Sequence, residues 1–271
     1  MELPLPETQS QTELTPSAVF NTPQLRVRRR KRIALGTAGF LLIAVLIACY
    51  IGVFGGNVRA VVPGRVYRSA QLTGNAYTSI TARWVGNDLE SVLKSHNIKT
   101  VITLRGGSQQ DAWYREETAI CAKDSVDYYN IGLSAVRPPP PEQMRRVLYA
   151  FDHATYPVLY HCSAGADRSG LIGALYLNVY ENVPLDEAQQ RQLTWRYGHL
   201  SWSRTRAMDN FLDLYRKTGN GKSLRDWITN TYPALYDQLP ASEKSPPPDV
   251  HEWQPTSTHS ASDQTAHPAV Q

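Results

Sequence analysis

The spacing of apolar positions along the 271-residue chain changes several times, and each spacing predicts an element. "KTVITLR" (99–105) and "PVLYH" (157–161) are short apolar, β-branched runs of the kind that form buried strands. "GRVYRSAQL" (64–72) predicts a first strand or edge segment, and "VDYYNIGL" (126–133) another strand. Between them the period is helical. In "NDLESVLKSHN" (87–97), Leu89, Val92 and Leu93 share one face, with Asn87 or Asp88 placed to cap it. In "EQMRRVLYAFDHA" (142–154), Met144, Val147, Leu148 and Phe151 share another. "WYREETAICAKD" (113–124) reads as a helix and "SGLIGALYLNVYENV" (169–183) as a helix buried on most sides, with more helices expected at about 185–198, 204–217 and 222–231. Strands separated by helices predict an α/β fold, a sheet covered on both faces.

One segment has no period at all. "IALGTAGFLLIAVLIACYIGVF" (33–54) lacks any charge and at ~1.5 Å per residue spans the thickness of a bilayer's hydrocarbon. It predicts a single transmembrane helix. A cleaved signal peptide is the main rival, disfavoured by the length of the run and of the segment before it. Six basic residues in "RVRRRKR" (26–32) precede the run, against scattered arginines at 59, 65 and 68 after it. The positive-inside rule then places the N-terminus in the cytoplasm and the rest of the chain outside it. Composition is that of a folded protein, 42% hydrophobic and 19% charged. The net charge of +4 resides mostly in residues 1–32, whose balance is +3, so residues 33–271 carry +1 and nucleic-acid binding is disfavoured. The expected organisation is a disordered basic cytoplasmic tail (1–32), the span (33–54), a folded domain (57–240) and a disordered C-terminal tail (241–271).

Chemistry concentrates in "YHCSAGADRSG" (160–170), where a buried strand gives way to a helix. Ligands of such sheets bind at the carboxyl ends of strands. Backbone amides from Ser163 through Ala164, Gly165, Ala166 and Asp167 to Arg168 are expected to form an anion nest before a helix N-terminus. Gly165 permits the backbone angles this needs, and the Arg168 fork is suited to two phosphate oxygens. The same field would favour a thiolate at Cys162, aimed at phosphorus. Ser169 is placed to cap the helix or to stabilise the departing thiolate, and His161 to orient the loop from behind. A strand-to-helix turn with an incidental cysteine does not account for His161, Gly165, Arg168, Ser169 and Gly170 at fixed offsets from Cys162.

His161-Cys162-x-x-Gly165-x-x-Arg168-Ser169-Gly170 resembles the signature of the cysteine-dependent tyrosine and dual-specificity phosphatase superfamily. "VYRSAQL", "IKTVITLRGG", "WYREE" and "PVLYHCSAGADRSG" occur in the order found in bacterial dual-specificity-like members, over roughly residues 60–180. The resemblance implies a mostly parallel sheet of four or five strands flanked by helices, a cysteinyl-phosphate intermediate, and neither metal nor cofactor. It also implies a general acid on a loop some thirty residues before the nucleophile. Here that loop, "SAVRPPPP" (134–141), has no carboxylate. Asp127 lies near the right distance but is expected to be a solvent-facing strand residue. Asp167 is the first candidate, by resemblance to phosphoinositide phosphatases such as the myotubularins, in which a loop Asp is the acid; pairing with a neighbouring basic group is the alternative. Asp111 is the second candidate, if "GGSQQD" (106–111) folds over the pocket. Arg105 is expected either to assist the substrate anion or to form a salt bridge with Glu116 or Glu117. Trp113, Tyr114 and Cys121 are expected to be packing residues, although a reversible Cys121–Cys162 disulfide is conceivable.

The expected activity is therefore hydrolysis of phosphate monoesters by a membrane-anchored enzyme. Its partner is a phosphorylated protein, phosphotyrosine by default, or a phosphorylated lipid. A phosphate-binding module without turnover is the rival from another class.

Overall fold

The computed structural model describes residues 23–73 and 88–246, with side chains from 31–47, 55–73 and 88–246. The chain divides into two compact units, Met1–Ala48 and Cys49–Gln271. Helix α1 runs from Pro23 to Phe54, so residues 23–32, expected to be part of a disordered tail, are helical. Its large apolar side chains from Ile33 to Ile47 are exposed. Among the described residues no helix is long and apolar enough to cross a membrane. The expected span, 33–54, continues into residues whose side chains lie outside the description.

The second unit is built on a five-stranded sheet in the order β1-β2-β5-β3-β4, with β1 Arg59–Val62, β2 Val66–Ser69, β3 Thr100–Thr103, β4 Asp127–Asn130 and β5 Val158–His161. Only β1 is antiparallel, pairing with β2; β2, β5, β3 and β4 run parallel. "GRVYRSAQL" thus supplies the second strand, not the edge. The hairpin partner β1 passed unnoticed because "RAVV" is short and sits between the apolar run and a Pro-Gly turn.

Alternation along the strands separates two cores, because successive side chains face opposite ways. Ile102, Tyr129, Val158 and Tyr160 face a large cluster with α4 (Pro141–His153), α5 (Asp167–Tyr180) and the C-terminal helices. Val101, Tyr128 and Leu159 face a smaller cluster with α2 (Leu89–Ser95) and α3 (Ala112–Lys123). Asp88 caps α2 through its side chain, 3.1 Å from the Ser91 amide; Asn87 lies outside the described residues. On α4 the expected face, Met144, Val147, Leu148 and Phe151, is buried, and Pro141 opens the helix at a position where its missing N–H costs nothing. After α5 come α6 (Leu185–Gln192), two 3-10 turns (Trp195–Tyr197 and Arg204–Arg206) and α7 (Ala207–Thr218). The last helical run joins α8 (Leu224–Asp226), a π-turn (Trp227–Thr231) and α9 (Tyr232–Asp237), six residues beyond the expected end.

Three expectations are corrected here. Asp127 is buried rather than solvent-facing, and it lies at the amino end of β4. The 162–170 loop leaves the opposite end of the sheet, three residues up the register at ~3.3 Å each, so Asp127 does not reach it. Cys121 and Cys162 are both free and belong to different clusters, on opposite faces of the sheet, which removes the proposed disulfide. Residues 241–246, assigned to the tail, are docked: Arg137 donates to the Lys244 carbonyl at 2.6 Å and the Ser245 hydroxyl to the Pro138 carbonyl at 2.9 Å.

Candidate active site

β5 delivers His161 and Cys162 to the carboxyl edge of the sheet, and the chain reaches α5 through Ser163–Ala166. The shape of this loop is set by what its carbonyls bind. The Gln71 amide donates to Ser163 O at 3.2 Å, and Asn57 Nδ2 to Ala164 O at 3.2 Å and to Gly165 O at 3.1 Å. Arg68 Nη2 donates to Gly165 O at 2.7 Å and Ala166 O at 3.0 Å. In a planar trans peptide the N–H points opposite to the C=O. Turning these carbonyls outward therefore turns the following amides, from Ala164 to Asp167, toward the concave side. Gly165 has φ +66°, and a Cβ there would lie 2.5 Å from the Ala70 amide nitrogen, so no other residue fits. Ala166 offers no side chain to cap α5, which leaves the helix's first amides available to an anion.

Arg68 and Asn57 escaped the sequence analysis as site residues. Arg68 is fully buried and has no carboxylate partner among the described residues. Its other nitrogen, Nη1, donates to Gln192 O and Oε1, each at 2.8 Å, and its guanidinium lies 4.8 Å from the Tyr197 ring centre. Gly173 lets α6 come this close: a Cβ there would stand 2.6 Å from Gln192 Oε1. Burial pulls the Arg68 pKa down from its usual value, opposed by Tyr160 and Cys162, so its charge sits beneath the loop.

Burial of Cys162 pushes its thiol pKa up, but Arg168, the Ser169 hydroxyl and the amides of Ser169 and Gly165 outweigh this, and the net direction is down. The Ser169 hydroxyl is itself buried with no hydrogen-bond partner among the described residues. Arg168 Nη1 donates to Leu133 O at 3.1 Å and to Leu104 O at 3.4 Å, which holds one edge of the guanidinium over the strand ends. The rest of the fork makes no hydrogen bond among the described residues. Behind the nucleophile, His161 Nε2 lies 2.6 Å from Glu117 Oε1, both side chains buried. Burial lowers the His161 pKa, but Glu117 overrides it and the net direction is up. Glu117 also accepts from Tyr128 at 3.0 Å and Thr73 at 3.2 Å. Glu117 is thus the partner that fixes the His161 ring behind the loop.

Arg105 forms no salt bridge with Glu116 or Glu117 among the described residues, against one of the two expectations. It donates to Gln71 Oε1 and lies 4.4 Å from the Trp113 ring centre. Desolvation and the nearby Arg168 lower its pKa, with Asp111, Glu117 and Cys162 opposing, so it belongs electrostatically to the pocket. Asp111 precedes α3 and accepts from the Ser108 amide at 3.0 Å and hydroxyl at 3.2 Å, which closes the 106–111 loop on itself. That loop is pinned by Asn130, whose side chain exchanges hydrogen bonds with both Gly107 backbone groups at 2.7 and 3.0 Å. Trp113 and Cys121 are buried, as packing residues should be, and Tyr114 packs against the smaller cluster. The Cys121 thiol pKa is pushed far up, by burial first and by Glu117 and Asp124 next.

Asp167, the first residue of α5, does find a basic partner, one the sequence analysis did not name. Its Oδ1 is 2.7 Å from His199 Nδ1, and His199 Nε2 is 2.8 Å from Asp209 Oδ2. Burial opposes protonation of His199, but the hydrogen bonds to Asp167 and Asp209 raise its pKa to about 9. An imidazolium is thus clamped between two carboxylates at the rim of the loop. Among the described residues no group of three or more His, Cys, Asp or Glu side chains is arranged to hold a metal ion.

Residues 52–190 match the model of a family described as the tyrosine phosphatase family. No curated protein matched the chain. Similar solved structures include TpbA of P. aeruginosa, 20% identical, covering 58% of this chain and 84% of TpbA at a TM-score of 0.41. Tk-PTP in its active form is 18% identical over 59% of this chain and 97% of its own, TM-score 0.41. The core catalytic domain of the PP-IP phosphatase SIW14 of S. cerevisiae, in complex with citrate, is 16% identical over 60% and 93%, TM-score 0.41.

Proposed function

The chain belongs to the tyrosine phosphatase family, and we propose that it is a membrane-anchored enzyme hydrolysing phosphate monoesters through Cys162. The observation that carries this proposal is a fully buried sulfur whose pKa is nonetheless lowered, beneath a loop whose carbonyls are all drawn outward. Bound phosphate would take the inward amides of Ala164–Asp167 and the free edge of Arg168. The Cys162 thiolate attacks phosphorus, the ester oxygen departs, and a cysteinyl-phosphate forms. Water then releases phosphate and regenerates the thiolate, which Ser169 and Arg168 stabilise as it leaves.

The departing oxygen requires a proton. Loop 134–141 has none to give, and we assign the role to Asp167 acting with His199. The proton that the pair shares rests on His199 up to about pH 9 and passes through Asp167 to the departing oxygen. Asp111 is the second candidate.

Phosphotyrosine on a protein is the default substrate. A phosphorylated lipid headgroup is the second reading, supported by the exposed apolar α1 and by the acid's place inside the loop. Residues 33–54 are proposed as a single span with the N-terminus cytoplasmic and the catalytic unit outside. The test is hydrolysis of an aryl phosphate series, phosphotyrosine peptides and phosphoinositides by the full chain, with Cys162→Ser as control. Turnover is expected for the first series and lost in the control. Asp167→Asn should slow only esters with poor leaving groups. Phosphate binding without any turnover would overturn the assignment in favour of a binding module.

A further inference from the structure

The segment between α6 and α7 is poorly explained by folding alone. It is wound into consecutive turns: the His199 amide donates to Thr194 O at 3.1 Å, Ser203 N to Leu200 O at 2.9 Å and Arg206 N to Ser203 O at 3.1 Å. Its inner residues belong to the site, since His199 holds Asp167 and Tyr197 O accepts from Asn57 Nδ2 at 3.0 Å. Its outer residues do the opposite of what solubility asks. Trp195 is 71% exposed and Trp202 77%, with Leu200 at 38%. Interleaved with them are Arg196, Arg204 and Arg206, which form no salt bridge among the described residues, and residues 194–206 contain no carboxylate. The acidic neighbours of Trp202 are already engaged, Asp209 with His199 at 2.8 Å and Asp213 with Arg216 at 2.9 Å.

We propose that this face, Trp195 to Arg206, docks on an anionic lipid bilayer and holds the catalytic loop at its surface. The inference rests on the anchored phosphatase proposed above and adds to it the orientation of the domain. Indole rings with an apolar body and an N–H edge settle at the headgroup level, and guanidinium groups among them pair with lipid phosphates. Connectivity favours the same occupant over a protein. Phe54 ends α1, and Asn57, three residues later, is bonded to Tyr197 in this very segment. At most ~3.5 Å per residue, the chain leaving the apolar helix reaches the segment within about 11 Å. A surface tethered so closely meets its own bilayer at a high effective concentration, before any soluble partner.

The test uses the full chain in vesicles of phosphatidylcholine with one-quarter phosphatidylglycerol, with ordinary or brominated acyl chains. Emission of the wild type minus that of the Trp195→Phe/Trp202→Phe double variant isolates the two indoles. Brominated chains are expected to quench this difference about twofold or more. Arg196→Glu/Arg204→Glu should abolish the quenching while hydrolysis of a soluble aryl phosphate persists, which shows that the variant is folded. Equal difference emission in both vesicle types overturns the proposal. So does a chain that fails to float with the vesicles, or a difference spectrum that shifts with protein concentration alone and thereby reports a second copy on this face. If quenching is seen but the wild type hydrolyses nothing, the enzymatic assignment falls and the docking surface stands.

Discussion

Ser169→Ala isolates one contribution to the nucleophile. The hydroxyl is buried, has no hydrogen-bond partner among the described residues and contributes to the lowered Cys162 pKa, and Ala keeps the first turn of α5 intact. A hydrogen bond to a charged group is worth about 1.5–3 kcal/mol, and each pKa unit is about 1.36 kcal/mol. Its loss should therefore raise the Cys162 pKa by about 1–2 units. Alkylation by iodoacetamide, followed against pH, reads this directly as a shift of the midpoint. Below both midpoints the fall in rate is smaller than the fall in thiolate, because a more basic thiolate is also more nucleophilic, with a Brønsted slope of about 0.4–0.5. The expected drop at fixed acidic pH is about 3- to 15-fold, not 10- to 100-fold. Cys121 does not interfere, since burial and nearby carboxylates hold it as the thiol. A midpoint that moves by less than about 0.3 unit would refute the claim that Ser169 stabilises the thiolate.

Other substitutions reach the loop's supports. Gly165→Ala places a Cβ against β2 at a positive φ and should lower aryl phosphate kcat/KM about a hundredfold or more, checked by steady-state kinetics alongside circular dichroism. Asn57→Ala leaves the Ala164 and Tyr197 carbonyls without their side-chain donor and the Gly165 carbonyl with Arg68 alone, and urea denaturation should show a loss of about 1–3 kcal/mol. His199→Asn tests the clamp through pH. A folded pKa of about 9, above the ordinary 6.5, stabilises the fold fully below pH 6.5 and progressively less as pH rises through 9. The wild type should thus exceed the variant by about 2 kcal/mol near pH 6, after allowance for solvent screening, and the gap should close by pH 10. A gap that widens with pH would mean that His199 is neutral in the folded state.

What the sequence revealed and what it hid divide by range. Periods and turn residues are local, so β3, β5, α4 and the Cys162–Gly170 loop could be read from contiguous letters. The loop's supports are not contiguous with it: Asn57 lies 107 positions from Ala164, and Arg68 lies 97 from Gly165. An arginine in "VYRSAQL" has the appearance of a surface residue on an edge strand. It is buried because its side chain runs beneath the loop to Gly165, Ala166 and Gln192, all distant in sequence. Glu117 resembled any exposed helix carboxylate until the fold set it against His161. Asp127 failed as a solvent-facing residue for the same reason, since its burial depends on Thr155 and on packing at the amino edge of the sheet. His199 had no motif around it; only the turn at Tyr197–Gly198 brings it to Asp167.

Asn57 gives the amino-terminal helix a hand on the chemistry. Because its carboxamide holds the Ala164 and Gly165 carbonyls, a change in the backbone around residue 57 would be felt at the loop that follows Cys162 without crossing the domain. Cleavage of the chain after residue 57 would remove that grip. The fragment from residue 58 onward would then carry a slackened loop, not a freed one.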